Sequence, residues 1–431
     1  MDSLSRQRAR HWSAADAERW LLSLELFGMR FGLDRMRRLM TALGTPHEAF
    51  RSIHVVGSNG KSSTVRMIAA LLEHHGLRAG AYLSPHLVSF AERIRVAGSD
   101  VSPERLAVAL GRAQRAAELV DRTLEGEDRV TQFEALTAAA YSELAAAQVD
   151  VAVVEAGLGG RWDATNVIDA EVAVLTNVGL EHTRWLGPTV SDIAREKLAV
   201  VAPGATLVLG PDLHPDADAE AQLVADRRGA TIVRAPAEPD RIAAGVPLLA
   251  RGAFQRRNFA VACTAAEAFR GGLEAAPVRA AAASTAVPGR FEVVADASGG
   301  AMVLDGAHNA AGMSALIESL PPFLGGRPLV AVLSILDDKD AAAMLAALLG
   351  LCAGAVFTAS ANPRALPPAT LASLAGQVGA PRVVLVQADP HRAVAAAREL
   401  AGPEGVVLAT GSIYLIADLA RPVGAGRAST L

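Results

Sequence analysis

The sequence predicts an α/β protein with two domains, a doubly wound N-terminal domain and a smaller, Rossmann-like C-terminal domain. The chain has 431 residues, more than one hydrophobic core usually organises. Apolar strands alternate with helical segments in both halves, which is typical of parallel sheets covered on both faces. The composition is 51% hydrophobic but only 4% aromatic, which favours small aliphatic side chains packed between helices and a sheet.

In the first half, hydrophobic periodicity predicts helices between residues 14 and 43 and a strand over Ile53–Val56. A glycine turn leads into a helix that starts at Lys61 and ends at Gly76. The segment "PHLVSFAERIRV" has no clear period and is predicted to be irregular. The remaining elements are strands at "RAGAYLS", "DVAVVEAG", "EVAVLTNVG" and "ATLVLG", and helices at 103–120, 132–147 and Ser191–Val201.

The stretch "STAVPGRFEVV" around Pro288 predicts the domain boundary, because one helix stops there and a new strand and helix series begins. We therefore expect domains over residues 1–288 and 289–431, with "PLLARGAFQ" and "AVPGR" as turns. The second series consists of strands at "AMVLDG", "LVAVLS", "GAVFTAS", "RVVLVQ" and "GVVLATGS", and helices at 310–319, 340–349, 367–376 and 391–400.

Charge and composition exclude several classes of protein. The formal net charge is −4, whereas a protein that binds duplex nucleic acid needs a basic face. No apolar stretch reaches the roughly 20 residues that cross a bilayer, and the charged N-terminus does not resemble a signal peptide. The two cysteines, Cys263 and Cys352, lack metal-type spacing and favour reduced thiols. We expect a cytoplasmic protein without nucleic-acid or membrane partners.

The segment "HVVGSNGKSST", residues 54–64, predicts a phosphate-binding loop of the P-loop type. The strand, glycine turn and helix place free backbone N–H groups and the positive end of a helix where an anion can bind. Gly57 and Gly60 let the backbone approach the phosphates, and Lys61 can reach their oxygens. Ser62 or Ser63 can offer a hydroxyl to Mg²⁺. The loop indicates a nucleoside triphosphate, although Val55 stands where the usual pattern has a small residue.

Two further strand ends carry polar side chains. Glu155 ends a buried strand and is placed to hold Mg²⁺ directly or through water. The glycine-rich loop after it carries Arg161 and Asp163. His182 follows the next strand, which predicts a position beside the metal, and Lys197 lies on the helix after that.

These stretches, in this order, resemble the folylpolyglutamate synthase and dihydrofolate synthase family. This family is part of the Mur ligase superfamily, whose members form amide bonds in ATP-dependent reactions. The resemblance extends from about residue 20 to about residue 420. Its second signature, "VVEAGLGGRWDATNVI", is highly specific. The stretch "YLSPHLVSFAERIRV" resembles the folate-side signature of the family. The other similar stretches are "GSNGKSS", "GLEHTRWLG", "AREK", "FQRRNFAVA", "PGRFEVV", "LDGAHN", "DDKD" and "TGSIYL".

The resemblance implies a role for each matching residue. The residues implied to hold the ATP phosphates are Gly57, Ser58, Asn59, Gly60, Lys61, Ser62 and Ser63. Ser84, Glu155 and His182 are implied to arrange magnesium ions. Lys197 matches a lysine that is carbamylated in the superfamily and then binds a second Mg²⁺. Asn258 and Arg290 match residues around the nucleotide, and Asp305 and His308 match residues that complete the nucleotide and glutamate side of the cleft.

The reaction that the resemblance implies transfers the γ-phosphoryl of ATP to a substrate carboxylate, and the amine of L-glutamate then attacks the acyl phosphate. The acceptor is dihydropteroate, a reduced folate, or both, and the protein is expected to be a monomer. The catalytic residues implied are Lys61, His182, Lys197, Arg290, Asp305 and His308.

Two other functions compete with this interpretation. A peptidoglycan ligase of the same superfamily is disfavoured because only about 50 residues precede the phosphate loop. A non-catalytic P-loop switch leaves Ser84, His182 and the C-terminal half unexplained. A ligase needs an added amino acid for ATP turnover, whereas a switch does not.

Overall fold

Two β-sheets, each flanked by helices, make up the computed structural model, which describes residues 12–25, 32–295, 300–379 and 383–422. The strands of the first sheet are β1 Arg51–Val56, β2 Ala79–Tyr82, β3 Ile94–Val96, β4 Ser99–Asp100, β5 Val151–Glu155, β6 Val172–Leu175, β7 Thr206–Leu209 and β8 Thr231–Arg234. The helices of this part are α1 Ala14–Ser23, α2 Asp34–Ala42, α3 Lys61–His74, α4 Pro103–Asp121, α5 Gln132–Ala146, α6 Thr183–Leu186, α7 Val190–Lys197, α8 Pro215–Arg228, α9 Ala253–Arg270 and α10 Ala275–Ser284.

The strand order of the first sheet is β4-β3-β2-β5-β1-β6-β7-β8. β1 lies between β5 and β6 and is parallel to both. The chain fills one side of β1 before it crosses to the other, and ligands of such sheets bind in the crevice at this reversal. The phosphate loop follows β1 and Glu155 ends β5, so both lie at that crevice.

The first sheet is mixed, which corrects the prediction of a wholly parallel sheet. β3 pairs antiparallel with both β2 and β4. The two residues between β3 and β4, Ala97 and Gly98, have φ values of +49° and +76°, as a two-residue hairpin turn requires. The segment "PHLVSFAERIRV", predicted to be irregular, contains a 3₁₀ turn over Phe90–Arg93 and ends in β3.

Two further predictions need correction. The helix predicted over Ser191–Val201 is α7, which stops at Lys197 and continues as a 3₁₀ turn over Leu198–Val200. The segment "PLLARGAFQ" was predicted to be a turn, but α9 already begins at Ala253, directly after Gly252 with a φ of +102°.

The second sheet has the order β13-β12-β11-β14-β10-β9 and is parallel except for β9, which is antiparallel to β10. Its strands are β9 Glu292–Ala295, β10 Ala301–Leu304, β11 Leu329–Leu333, β12 Gly354–Phe357, β13 Val383–Val386 and β14 Val406–Thr410. Its helices are α11 Ala310–Leu324, α12 Ala341–Leu348, α13 Pro368–Val378, α14 Pro390–Ala401 and α15 Ile413–Leu419. The predicted fold class is confirmed.

Contacts between α9 and α11 join the two sheets. Arg257 on α9 forms an ion pair with Glu318 on α11, with 2.6 Å between Nη2 and Oε2. Ser319 Oγ accepts a hydrogen bond from the backbone N–H of Ala253 at 2.9 Å. Asn309, which follows β10, donates from Nδ2 to Asn59 Oδ1 at 3.1 Å, so the carboxyl end of β10 lies beside the phosphate loop. Within the described ranges, no helix is both long and apolar enough to span a membrane.

Candidate active site

The phosphate loop runs from β1 into α3 and holds Lys61 against its own backbone. Lys61 Nζ donates to the carbonyl oxygens of Gly57 at 2.9 Å and Ser58 at 3.3 Å. Gly60 has a φ of +82°, and a Cβ there would lie 2.5 Å from Asn258 Oδ1. The loop therefore requires glycine at this position both for its backbone conformation and for the close approach of Asn258 from α9.

The segment after β6 anchors the same loop. Thr176 Oγ1 donates to the carbonyl oxygen of Asn59 at 2.7 Å, and Asn177 Oδ1 accepts from the Asn59 N–H at 2.9 Å. Ser58 Oγ accepts from the Gly179 N–H at 3.0 Å. Side chains from a neighbouring strand end therefore hold the loop in place, and the sequence analysis did not identify them.

Glu155, Ser62 and Ser84 meet beside the start of α3. Ser62 Oγ donates to Glu155 Oε1 at 2.9 Å, and the Ser84 N–H donates to Glu155 Oε2 at 3.1 Å. Burial raises the pKa of Glu155, against the opposing charge of Lys61. Of the two serines that the sequence offers, Ser62 makes this contact, whereas Ser63 is buried. We call Ser62, Ser84 and Glu155 the Glu155 cluster.

A second group forms around Lys197, which is only 2% exposed. Lys197 Nζ donates to Glu181 Oε1 at 2.9 Å and to the Gly57 carbonyl oxygen at 2.9 Å. Burial alone would raise the pKa of Glu181, but the ammonium groups of Lys197 and Lys61 lower it to about 2. Because Gly57 O accepts from both Lys61 and Lys197, two cations converge on one carbonyl of the phosphate loop.

The glycine-rich loop after β5 positions Lys197. A Cβ at Gly160 would lie 2.6 Å from the Lys197 carbonyl oxygen, so only glycine permits this approach. Arg161 Nε donates to Glu196 Oε1 at 2.7 Å on the same helix end. Asp163 is buried and accepts the Leu158 N–H at 2.7 Å, which closes the loop on itself. The specific second signature thus supports the lysine structurally.

The second sheet contributes residues at the end of β10. Asp305 is buried, and its two oxygens accept the backbone N–H groups of Phe291 and Ala307, both at 2.8 Å. Burial raises the pKa of Asp305, against the opposing charge of Arg290. Burial lowers the pKa of His308 to about 4, so this imidazole is neutral at pH 7.

Two cations of the C-terminal half, Arg290 and Lys339, affect the pKa values of residues in the N-terminal half. Arg290 is close enough to Glu155 for its charge to oppose the rise in the pKa of that carboxyl. Burial, together with the charge of Lys339, lowers the pKa of His182 to about 4. His182 is the N-cap of α6 and has a φ of +47°, a left-handed conformation that is uncommon outside glycine.

The structure joins several of the predicted residues by hydrogen bonds and leaves others linked only through their charges. Ser84 and Glu155 belong to the Glu155 cluster, and Lys197 belongs to the second group, where the charges of Glu181 and Lys197 act on His182. Arg290, Asp305 and His308 lie near the end of β10, and the charge of Arg290 acts on Asp305, on His308 and, across the two sheets, on Glu155. The sequence analysis missed Glu181, Asn177, Asn309 and Lys339. Glu181 directly precedes His182 and lies in a quoted family stretch, which was the available signal.

The Glu155 cluster has the oxygen ligands that suit a magnesium ion. Mg²⁺ prefers oxygen ligands and usually takes only one or two carboxylates from the protein, with waters and substrate phosphates completing its shell. Glu155 and the hydroxyl of Ser62 are such oxygens at the start of a phosphate-binding helix. Among the residues that the structure describes, no group of three or more His, Cys, Asp or Glu side chains forms a self-sufficient metal cage.

Comparison with known proteins identifies the class and the family. The Mur ligase middle domain matches residues 55–210, and the Mur ligase glutamate ligase domain matches residues 289–413. The fold is thus that of a Mur-type ligase. A dihydrofolate synthase/folylpolyglutamate synthase of Mycobacterium tuberculosis is 36% identical over 80% of this chain and 77% of its own length.

Solved structures agree with the sequence relatives. The folylpolyglutamate synthase of Mycobacterium tuberculosis, complexed with ADP and AMPPCP, matches with a TM-score of 0.87 and 34% identity over 96% of this chain and 99% of that one. The FolC protein of E. coli, in complex with DHPP and ADP, matches with a TM-score of 0.83 and 28% identity over 95% and 98%. The chain belongs to the dihydrofolate synthase/folylpolyglutamate synthase family of ATP-dependent ligases, which confirms the predicted family and enzyme class.

Proposed function

We propose that this protein joins L-glutamate to the carboxylate of a pterin or folate acceptor through an acyl phosphate, with ATP and Mg²⁺. The single observation that supports this most directly is the position of Glu155. Its carboxylate is held by Ser62 of the phosphate-binding helix and by the backbone of Ser84, within the electrostatic range of Lys61 and Arg290. These contacts support the proposal because they put a candidate metal-binding carboxylate against the phosphate loop and within reach of the charge of Arg290.

The first step brings the γ-phosphoryl group of ATP to the acceptor carboxylate, and the repulsion between these anions is its main barrier. Lys61 leaves the carbonyls of Gly57 and Ser58 to bind the phosphates, and Arg290 adds a second positive charge from the other side. Ser62, Ser84 and Glu155 would hold one Mg²⁺, and His182 with a carbamylated Lys197 would hold a second. Bound there, the ions neutralise charge on the phosphates and the carboxylate.

The second step requires the amine of L-glutamate beside the acyl carbon and the exclusion of water. We assign residues 1–288 and 289–431 to two domains and propose that their closure excludes water from the acyl phosphate. Asp305 and His308 orient glutamate from the second domain. The α-amine of L-glutamate attacks as the free amine: the C–N bond forms, the C–O bond to phosphate breaks, and the amine proton passes to the departing phosphate or to solvent. A pKa of about 4 keeps His308 neutral and weakly basic, so we assign it a role in orienting the amine by a hydrogen bond.

Carbamylation of Lys197 would give the second group a carboxylate that can bind the second Mg²⁺. The neutral amine attacks CO₂, a C–N bond forms, and one proton leaves the nitrogen. Burial lowers the pKa of Lys197, against the attraction of Glu181, and so favours the neutral amine that reacts. The product carboxylate would replace an ammonium group that now pairs with Glu181.

The acceptor is dihydropteroate, a reduced folate, or both, and we propose that the protein acts as a cytoplasmic monomer. The test is ADP release by the purified protein with ATP, Mg²⁺ and L-glutamate, with dihydropteroate or tetrahydrofolate as acceptor. Release that requires both glutamate and an acceptor supports the proposal. Release without an added amino acid contradicts it, and light scattering of the same sample measures the oligomeric state.

A further inference from the structure

His54 is a buried histidine in the middle of β1, and one of its ring nitrogens has no partner. The side chain is fully buried, and its Nε2 lies 2.9 Å from Thr165 Oγ1. Its Nδ1 is buried and forms no hydrogen bond. A buried polar atom without a partner costs free energy, and an apolar side chain of similar size would avoid that cost. Packing of the core therefore does not explain a histidine at this position.

The hydrogen bonds of Thr165 determine the state of the imidazole. Asp163 is buried, and its two oxygens accept the N–H groups of Leu158 at 2.7 Å and of Thr165 at 3.0 Å, as a carboxylate does. The Thr165 hydroxyl donates its hydrogen to Asp163, so its oxygen can only accept from His54. The proton of the neutral ring is consequently on Nε2. Burial lowers the pKa of His54 to about 3, which keeps the ring neutral at pH 7.

The same hydrogen bonds lead from β1 to Lys197 through the glycine-rich loop, residues 157–163. The Arg161 N–H donates to the Glu196 carbonyl oxygen at 2.9 Å, and Arg161 Nε donates to the Glu196 carboxylate at 2.7 Å. Lys197 is the next residue, and its Nζ donates to the Gly57 carbonyl oxygen at 2.9 Å. Because Gly57 directly follows β1, this series of contacts starts and ends on one strand.

Tyr141 of α5 holds the backbone of Thr165 from another side. The Tyr141 hydroxyl donates to the Thr165 carbonyl oxygen at 2.9 Å, and both residues are fully buried. The backbone of Thr165 is therefore fixed without His54. What depends on His54 is the direction of the Thr165 hydroxyl, because the Nε2–H occupies the lone pair that faces away from Asp163.

We propose that His54 is a positioning residue of the ligation reaction, because it holds the glycine-rich loop and, through that loop, Lys197. The inference rests on the proposed function, in which Lys197 belongs to the site of the second Mg²⁺. Residues that orient a metal-binding group through hydrogen bonds affect activity although they do not contact the metal. The unpartnered Nδ1 is the cost of placing an N–H donor at this point of the core.

The experiment measures kcat and KM for glutamate-dependent ADP release in variants of His54. His54→Met keeps a side chain of similar size but removes the donor, and kcat should fall by roughly tenfold to hundredfold. The KM for ATP should stay unchanged, because Thr176 and Asn177 still anchor the phosphate loop. His54→Gln retains an N–H donor at a similar distance from the backbone and should recover most of the lost kcat.

A second set of variants tests the other end of the hydrogen bond. Thr165→Val removes the hydroxyl and should lower kcat by at least as much as His54→Met, whereas Thr165→Ser keeps the hydroxyl and should not. The double variant His54→Met/Thr165→Val should be no slower than Thr165→Val, because both changes interrupt one series of bonds. Losses that multiply would contradict the inference. If His54→Met does not fold, the comparison of Thr165→Val with Thr165→Ser decides it.

Thr137→Val is the matched control. Thr137 of α5 is as fully buried as Thr165, and within the described ranges its hydroxyl is hydrogen-bonded to Tyr82 and Phe133 and not to the glycine-rich loop. This variant should lose a similar part of the unfolding free energy and keep the wild-type kcat. An equal loss of kcat in Thr137→Val would show that general destabilisation explains the effect, and would overturn the inference.

Amide hydrogen exchange provides a measurement that does not depend on turnover. In His54→Met, exchange should become faster in residues 157–163 and at the end of α7, with little change elsewhere in the first sheet. Unchanged exchange there, a wild-type kcat in His54→Met, or a loss that His54→Gln does not recover would overturn the inference. If the wild-type protein shows no glutamate-dependent ADP release with any acceptor, the proposed function itself fails, and the exchange measurement alone decides whether His54 holds the loop.

Discussion

Asn309 of the second sheet is hydrogen-bonded to Asn59 of the phosphate loop, with 3.1 Å between Nδ2 and Oδ1. The same side chain caps α11, because its Oδ1 accepts the Gly312 N–H at 2.7 Å. One asparagine thus starts a helix beside the second sheet and contacts the predicted phosphate loop. In the proposed mechanism, this contact would couple the closure of the two domains to the phosphate loop.

The two roles of Asn309 can be separated by substitution. Asn309→Ser keeps a side-chain oxygen that caps α11 but is too short to reach Asn59, so we expect unchanged stability and about tenfold lower ATP turnover. Asn309→Ala removes the cap as well and should also lower the free energy of unfolding by about 1 kcal/mol. Thermal unfolding and glutamate-dependent ADP release measure the two effects. Full turnover in Asn309→Ser would show that the contact is incidental.

Glu155 and Lys61 should be essential for turnover but not for folding. We expect Glu155→Gln and Lys61→Ala each to lower glutamate-dependent ADP release by roughly a hundredfold or more, because each removes charge from the reacting centre. Removal of the buried charge of Glu155 should not destabilise the fold. Glu171→Gln is the control, because Glu171 pairs with Arg51 at the exposed, opposite end of the sheet. Near-normal turnover in either site variant would refute the assignment.

Gly60 is expected to be irreplaceable for a steric reason. Gly60→Ala places a Cβ 2.5 Å from Asn258 Oδ1 and should reduce ATP binding strongly. The control is Gly76→Ala, since Gly76 has a similar φ of +87° and no atom within 4 Å of the new Cβ. Both changes should cost about 1 to 2 kcal/mol of stability through the left-handed backbone. Calorimetric titration with ATP should separate them, and equal affinity in both variants would contradict the steric argument.

The pair of Glu181 and Lys197 predicts a pH dependence of stability. The pKa of Glu181 falls from its ordinary 4.5 to about 2 on folding, so its ionised form stabilises the folded protein. This contribution is fully present above pH 4.5 and is lost as the pH falls towards 2. The difference in unfolding free energy between wild type and Glu181→Gln should therefore shrink over that range. A difference that stays constant between pH 5 and 3 would argue against the ion pair.

Carbamylation of Lys197 predicts a requirement for CO₂. Protein prepared and assayed in CO₂-free buffer should lose turnover, and added bicarbonate should restore it, because the carbamate forms reversibly. Lys197→Ala, which cannot be carbamylated, serves as the control and should be inactive and insensitive to bicarbonate. Equal wild-type turnover with and without CO₂ would exclude a functional carbamate.

Short segments carried much of what the sequence could predict. The phosphate loop, Glu155 at the end of β5 and His182 after β6 were identified because each lies within a few residues of a strand end, where the carboxyl edge of a sheet places its ligands. The roles assigned to them remain predictions. Glu181 escaped notice because its significance depends on Lys197, sixteen positions further along the chain, and on the burial of both side chains.

The sequence by itself determined the alternation of strands and helices, the family, and the residue types at each strand end, because these depend on local periodicity and on motif spacing. Only the tertiary structure decided which side chains meet. Asn59 and Asn309, which are hydrogen-bonded, are 250 positions apart, and Ser62 and Glu155 are 93 positions apart. Such pairings arise when distant elements pack together, and local pattern contains no information about the distance between them.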